Sequence, residues 1–537
     1  MKRFGKQILA AVMAAITAFA FVGCKKDGDK KPAGATDEST LDIYILNTGF
    51  GYQWLNDSIA LFKQQDWVKE KYPNLYVPEI TYNSQYKYGS DMIKAGEKAN
   101  KFDLLIGVES TQFYDLKDAS GNGYLESLKD VYNSAVPGES VLYKDKMYDE
   151  YEQYANYEGD YLTSFYVANY LGLLYNADLF AELGLSVPRT TDELSALCKK
   201  VKDLNGSNPK YKKDYTVMFS TSRDAAMYWQ DIGLTAWWIQ YEGVEEYYNF
   251  YRGIDTVTET RNTKEVLRQQ GRLEALEVCY DLIHNYGFEG AGSIDFSEAQ
   301  SRFLSGDGLI VANGDWFCEE MKLTIEGLKS RGIDYDIRFM KTPIISSIVD
   351  KLTTVKTDEK LAELVDAIDS GRSSLDGVSA EDFARVKEAR SFMRTTGYGG
   401  GMVVPKYAKG KEVAKDFIRF LATDVAVDQY MKTTRGATPP FSYDVQKNDA
   451  AAYEKFDYIQ KQKTDYFNDN DTFFIRSYSS TEFPLVYKGG LTAFPVGYID
   501  VVFSKNGGKT AEQYFNDQIE YYTDAKWKDI LRNAGVQ

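Results

Sequence analysis

Histidine is almost missing from this chain: of 537 residues only His284 is one. A Ser-His-Asp or Cys-His mechanism would have to rest on that single imidazole, and a metal site built from several histidines is excluded. His284 falls near the end of a helical pattern, LEALEVCYDLIHNYG, where a capping or surface role is expected. Cysteine is scarce too, with four in all. Cys24 closes an N-terminal apolar run, and the remaining Cys198, Cys279 and Cys318 are an odd set, which is not a disulfide framework. No pair of them has the spacing of a zinc site, and each lies in an apolar or helical context that suits a small buried side chain. The run from Ile8 to Val22 is shorter than the roughly 20 residues that span a bilayer comfortably. Positive charge is also short: 63 Lys and Arg stand against 79 Asp and Glu, a formal net charge of −16 that repels nucleic acid.

What the N-terminus does contain is ordered. Lys2, Arg3 and Lys6 precede the apolar run, which ends in a small residue and a cysteine, the order of a secretory signal. Phe21-Val22-Gly23-Cys24 resembles the lipobox of bacterial lipoproteins, with Phe21 where leucine is usual. That resemblance implies cleavage before Cys24 and lipidation of its thiol, with acyl chains holding the protein at a membrane. Loss of residues 1–23 removes three positive charges and no acidic ones, so the net charge goes from −16 to −19. Residues 24–40, rich in Lys, Asp, Gly, Pro and Ser, read as a flexible tether.

Aromatic residues make up 15% of the chain and include 42 tyrosines, more than a core of this size needs. A flat apolar face with a polar tip suits sugar rings, which present C–H faces and hydroxyl edges.

Folding is expected to start at Leu41. LDIYIL reads as a strand, NTGFG as a glycine loop and WLNDSIALFKQQ as a helix. LYVPEITYN and FDLLIG read as further strands around a helical stretch from Ser90 to Asn100, which argues for a parallel sheet covered on both faces. Ligands of such sheets sit beyond the carboxyl ends of the strands, here at loops 47–52 and 107–113. SFYVANYLGLLYN reads as one long apolar strand leading into the helices ADLFAELGL and TDELSALCKKVKDL, the second capped by Thr190 or Thr191. EALEVCYDLIHNYG and FSEAQSRFLSG read as helices, GLIVANGDW as a buried strand ending in a turn. Residues 348–396 look like a charged helical element inserted at the surface, before a strand at 401–405 and the amphipathic helix KEVAKDFIRFLA. The last hundred residues show no pattern that can be placed.

Six segments in this order together resemble the extracellular solute-binding proteins of family 1, the sugar-binding group: NTGFGYQW, FDLLIG, GLLYNADLFAELGLSVPRTTDEL, FLSGDGLIVANGDW, IRFMKTPIIS and VVPKYAKGKEVAKDFIRFLATD. The resemblance implies an α/β, two-lobed periplasmic-binding-protein-like fold with a ligand cleft between lobes joined by a hinge. The lobes would be 41–168 plus 397–425, and 169–396 plus 426–537. It implies a non-catalytic monomer that captures a carbohydrate, of oligosaccharide size, by shutting around it, and delivers it to an ABC permease, outside the cell and without a cofactor or metal.

By the same resemblance the loop Asn47–Tyr52 contacts the ligand, with Phe50 and Tyr52 as its aromatic members. Glu109 and Ser110 follow FDLLIG, where a carboxylate can accept two hydroxyl hydrogen bonds. Asn169 and Tyr170 stand in the first crossing segment. Trp316 in NGDW matches an aromatic that stacks on a sugar face, with Asp315 beside it to accept hydroxyls. Trp229, Trp237 and Trp238 offer further rings, although adjacent tryptophans cannot share one side of a helix. Tyr398 in GYGGG could close over the ligand and Arg435 could fork onto hydroxyls or hold its own loop. Trp54 is as much a core as a cleft candidate. Two other readings compete: an anchored glycoside hydrolase with two carboxylates about 5–10 Å apart, and a mostly helical glycan-docking lipoprotein.

Overall fold

A computed structural model describes residues 31–536 apart from 85–86, 99, 108–116, 205–215, 220–229, 288–293, 394–399, 435–436, 470 and 476–481. Two mixed sheets organise it. The first contains β1 (Ile43–Leu46), β2 (Thr81–Asn83), β3 (Leu104–Ile106) and β4 (Ser164–Phe165). The second contains β5 (Leu171–Asn176), β6 (Thr216–Phe219), β7 (Gly308–Gly314) and β8 (Ile337–Met340). The chain then returns to the first sheet as β9 (Gly401–Val403).

The spatial orders are β2-β1-β3-β9-β4 and β8-β5-β7-β6. β1 runs parallel to β2 and β3, as the strand-helix alternation predicts, while β9 is antiparallel to both β3 and β4. An all-parallel sheet is therefore corrected to a mixed one, because β9 enters from the other lobe and not by a local crossover. β1 and β7 are buried along their whole length, which explains their near-continuous apolar sequences.

SFYVANYLGLLYN is not one strand. Ser164–Phe165 belongs to the first sheet and Leu171–Asn176 to the second, so residues 166–170 are a crossing. All thirteen positions are buried, so apolarity alone could not reveal the break. This crossing is tied to two later stretches of chain: Tyr166 donates its N–H to the Gly400 carbonyl (3.2 Å) and Ala168 to that of Thr438 (2.7 Å).

The boundary expected at 425 falls at the start of a helix. Helix Asp424–Thr433 packs on helix Gln53–Gln64 of the first lobe, where Tyr430 meets Trp54 edge-on at 5.0 Å and Thr433 donates to Asp57 at 2.9 Å. Trp54 is fully buried and stacks on Tyr166 at 4.8 Å. Asp103, at the start of β3, ties the first lobe together by accepting N–H groups from Asp42 (3.0 Å) and Gly410 (2.8 Å).

The 348–396 element is a helical pair, Asp358–Asp369 and Ala380–Ser391. It is more than a surface appendage. Leu361, Leu364, Val365, Phe383 and Val386 are buried, and Arg385 donates to the Gln240 carbonyl of helix Thr235–Glu242. The C-terminal hundred residues also dock on the second lobe. Arg272 of helix Gln270–Tyr280 is completely buried and ringed by Trp238, Phe250, Phe494 and Phe515, its guanidinium 5.0–5.7 Å from their centres. It donates to the carbonyls of Leu267 and Ala493, and burial pushes its pKa down to about 10. Cys198, Cys279 and Cys318 are buried free thiols, and His284 stacks on Tyr280 at 4.8 Å. Among the described residues no helix is long and apolar enough to cross a membrane.

Candidate functional site

β1 ends at Leu46 and β7 at Gly314, and the two loops that follow meet each other. After β1 the chain turns through Gly51, whose φ of 65° is left-handed and whose N–H reaches the Thr48 carbonyl (2.8 Å). This turn brings Phe50 edge-on to Trp316, with ring centres 6.4 Å apart and planes at 90°. A Cβ on Gly49 would come within 2.8 Å of Trp316, and one on Gly314 would lie 2.2 Å from its indole. Glycine at both positions is what lets the ring pass between the loops. Trp316, 9% exposed, thus belongs to the second lobe by chain and touches the first lobe by packing.

Tyr52 opens helix Gln53–Gln64 and stacks on Tyr82 at 4.7 Å and 21°. Tyr82 is the middle residue of the short edge strand β2 and is 54% exposed, so this pair presents an aromatic face at the rim. Tyr82 was missed in the sequence. The signal was present: if ligand loops follow strand ends, the end of LYVPEITYN counts as much as those of its neighbours.

Two candidates are corrected. Asp315 does not offer its carboxylate to the cleft: its side chain is fully buried and forms an ion pair with Lys463 of helix Tyr458–Asn468. Burial pushes the Lys463 amine well down. Trp237 is a core residue. Helix Thr235–Glu242 is buried on every side, so both adjacent tryptophans are enclosed; Trp237 donates to the Pro343 carbonyl (3.1 Å) and Trp238 to Gln269 Oε1 (2.9 Å). The rule that two neighbours cannot share a face does not bring one to the cleft when both faces are covered.

Tyr170 and Asn169 stand in the first crossing, both buried. The Tyr170 ring turns into the second lobe against Phe339 (4.7 Å), and its carbonyl accepts the Asp315 N–H (3.0 Å). That bond ties the crossing to the Trp316 loop. The register of β5 and β7 agrees, pairing Leu171 with Gly314. Behind Trp316, Gln300 donates to Glu320 (2.7 Å), whose pKa is raised by burial and lowered in part by that bond. Glu109, Ser110, Trp229, Tyr398, Arg435 and Cys24 lie outside the described residues.

The candidate site thus sets Phe50 of one lobe against Trp316 of the other, with the Tyr52–Tyr82 pair following in the same loop and in strand β2. Aromatic faces with few charges can hold a ligand by removing apolar surface from water. Among the described residues no group of three or more His, Cys, Asp or Glu could hold a metal ion.

Solved structures share this fold. The GacH receptor of Streptomyces glaucescens GLA.O, known unliganded and with acarbose, matches with a TM-score of 0.53 at 14% identity over 91% of this chain and 98% of its own. The cyclic α-maltosyl-1,6-maltose binding protein from Arthrobacter globiformis gives 0.53 at 15% identity over 91% and 99%. RafE from Streptococcus pneumoniae in its apo form gives 0.52 at 13% identity over 92% and 99%. No curated protein matches the sequence. The family profile described as bacterial extracellular solute-binding protein matches residues 69–457, more than half of the chain. With its two-lobed α/β fold, the chain belongs to the bacterial extracellular solute-binding proteins.

Proposed function

We propose that this protein captures an oligosaccharide between its lobes and hands it unchanged to an ABC permease, while a lipid on Cys24 keeps it at the outer face of the cell membrane. One observation carries the reading: Trp316 of the second lobe lies against the Gly49-Phe50 loop of the first. A ligand that stacks on that indole touches both lobes only when they are shut, so it favours the closed state by the difference in affinity. Phe50, Tyr52 and Tyr82 supply further ring faces on the opposite wall. The fold relatives include proteins solved with acarbose and with raffinose. The lobes in this reading are 41–168 with 397–433, and 169–396 with the remainder of the chain, working as a monomer.

A thermal-shift screen with acarbose, raffinose and chitin oligosaccharides tests it. A sugar at a hundred times its dissociation constant adds about 2.7 kcal/mol to stability. Failure of every sugar to shift the transition, or recovery of a cleaved sugar, overturns the proposal.

A further inference from the structure

The family match ends at residue 457, and the ion pair behind Trp316 comes from the segment just beyond it. Helix Tyr458–Asn468 opens with a capping box between Asp457 and Gln460. Gln462 accepts the Phe339 N–H (2.9 Å) and donates to the Phe339 carbonyl (3.0 Å), so a side-chain amide continues the ladder at the edge of β8. The next residue, Lys463, turns inward to Asp315, with 1% of its side chain exposed against 0% for its partner. The segment then reaches the first lobe, where Phe467 stacks on Tyr148 at 5.3 Å and Phe474 meets Tyr151 at 6.1 Å. Phe473–Phe474 also pairs with Phe392–Met393 at the start of the second crossing.

A fully buried ion pair adds little net stability over an apolar pair of similar volume, because desolvation offsets the attraction. Geometry is what it fixes. Asp315 is held at both ends, by its N–H on the Tyr170 carbonyl and by its carboxylate on Lys463. Trp316 is the next residue and opens the short helix Phe317–Glu320, so the direction of its indole follows from how Asp315 is anchored.

We infer that Lys463 is a positioning residue for Trp316: through Asp315 it sets the indole against the Gly49-Phe50 loop, which makes the helix Tyr458–Asn468 part of the ligand-binding apparatus. This rests on Trp316 being a sugar platform.

The test labels the full chain with 5-fluorotryptophan and assigns the Trp316 resonance by Trp316→Phe. In Lys463→Met without ligand, the Trp316 resonance should move while those of Trp237 and Trp238 stay, and affinity for the best binder among acarbose, raffinose and chitotriose should fall roughly tenfold. Because a lone buried carboxylate could prevent folding, Lys463→Met is also combined with Asp315→Asn. This pair leaves no charge buried, so it should fold and still show a displaced Trp316 resonance and weakened binding. A wild-type Trp316 resonance in both proteins, or wild-type affinity in the double variant, overturns the inference and leaves the pair a stability feature. A displaced resonance in a chain whose wild type binds none of the sugars keeps the positioning role and removes the sugar reading instead.

Discussion

Trp238 and Trp316 are both buried tryptophans of the second lobe, yet their surroundings differ in kind. Trp238 is enclosed by its own lobe: Tyr247 at 4.9 Å, Phe250 at 5.0 Å, the Arg272 guanidinium at 5.7 Å and a hydrogen bond to Gln269. Trp316 has its own lobe on one side and the turn of the other lobe on the opposite side. Nearly equal exposure, 0% and 9%, hides this difference. What separates core from site is whether the neighbours of a ring can move away from it together.

That contrast is broken or sharpened by substitution. Trp238→Ala should cost the most, about 3–5 kcal/mol of stability, because the cavity it leaves is walled by parts that cannot separate. Urea unfolding measures this, and a loss below 1 kcal/mol would remove Trp238 from the core class. Trp316→Ala should instead lower sugar affinity at least about tenfold, or 1.4 kcal/mol, with a much smaller loss of stability. Unfolding together with loss of binding would place the two tryptophans in one class.

A pH series compares the lobes more gently. Asp103 holds the first lobe's β1 and the start of helix Lys411–Leu421, and burial raises its pKa to about 6 against the backbone bonds that lower it. The folded state thus binds its proton more tightly than the unfolded chain, whose ordinary value is 3.8. The stability it contributes is fully present below 3.8 and is lost as pH rises through about 6. The urea midpoint of wild type relative to Asp103→Asn should therefore fall between about pH 4 and 7; a flat difference refutes the assignment. The smallest effect is expected of Tyr82→Ala, which should weaken long oligosaccharides by less than about 1 kcal/mol and leave a disaccharide unchanged. Equal weakening of both would move Tyr82 away from an outer position.

Much of this was legible in the sequence because local patterns carried it. β1, β3 and β7 show in LDIYIL, FDLLIG and GLIVANG, and the helices Gln53–Gln64, Thr191–Leu204 and Lys411–Leu421 match within one residue the stretches read as helical. Phe50, Tyr52 and Trp316 were expected as ligand contacts from strand ends and family resemblance together, and the structure sets the first and last of them ring to ring. The misses came from long-range pairing. The break within 164–176 is set by which sheet each half joins, and the burial of Asp315 by a lysine 148 positions later, since 463 minus 315 is 148. Trp237 was misplaced because a helix covered on all sides looks, in sequence, like one with a free face. The helical pair at 358–391 looked like a surface insertion because its few apolar residues gather on one covered side.

The hydrogen bonds Tyr166–Gly400 and Ala168–Thr438 tie the first crossing to two other stretches of chain, as rungs tie a narrow ribbon. A ribbon flexes readily about one axis and resists twist and slip, because those motions break the bonds along its width. If the lobes swing as proposed, such a ribbon would return the same indole to the same glycine, with no search for register when a guest arrives.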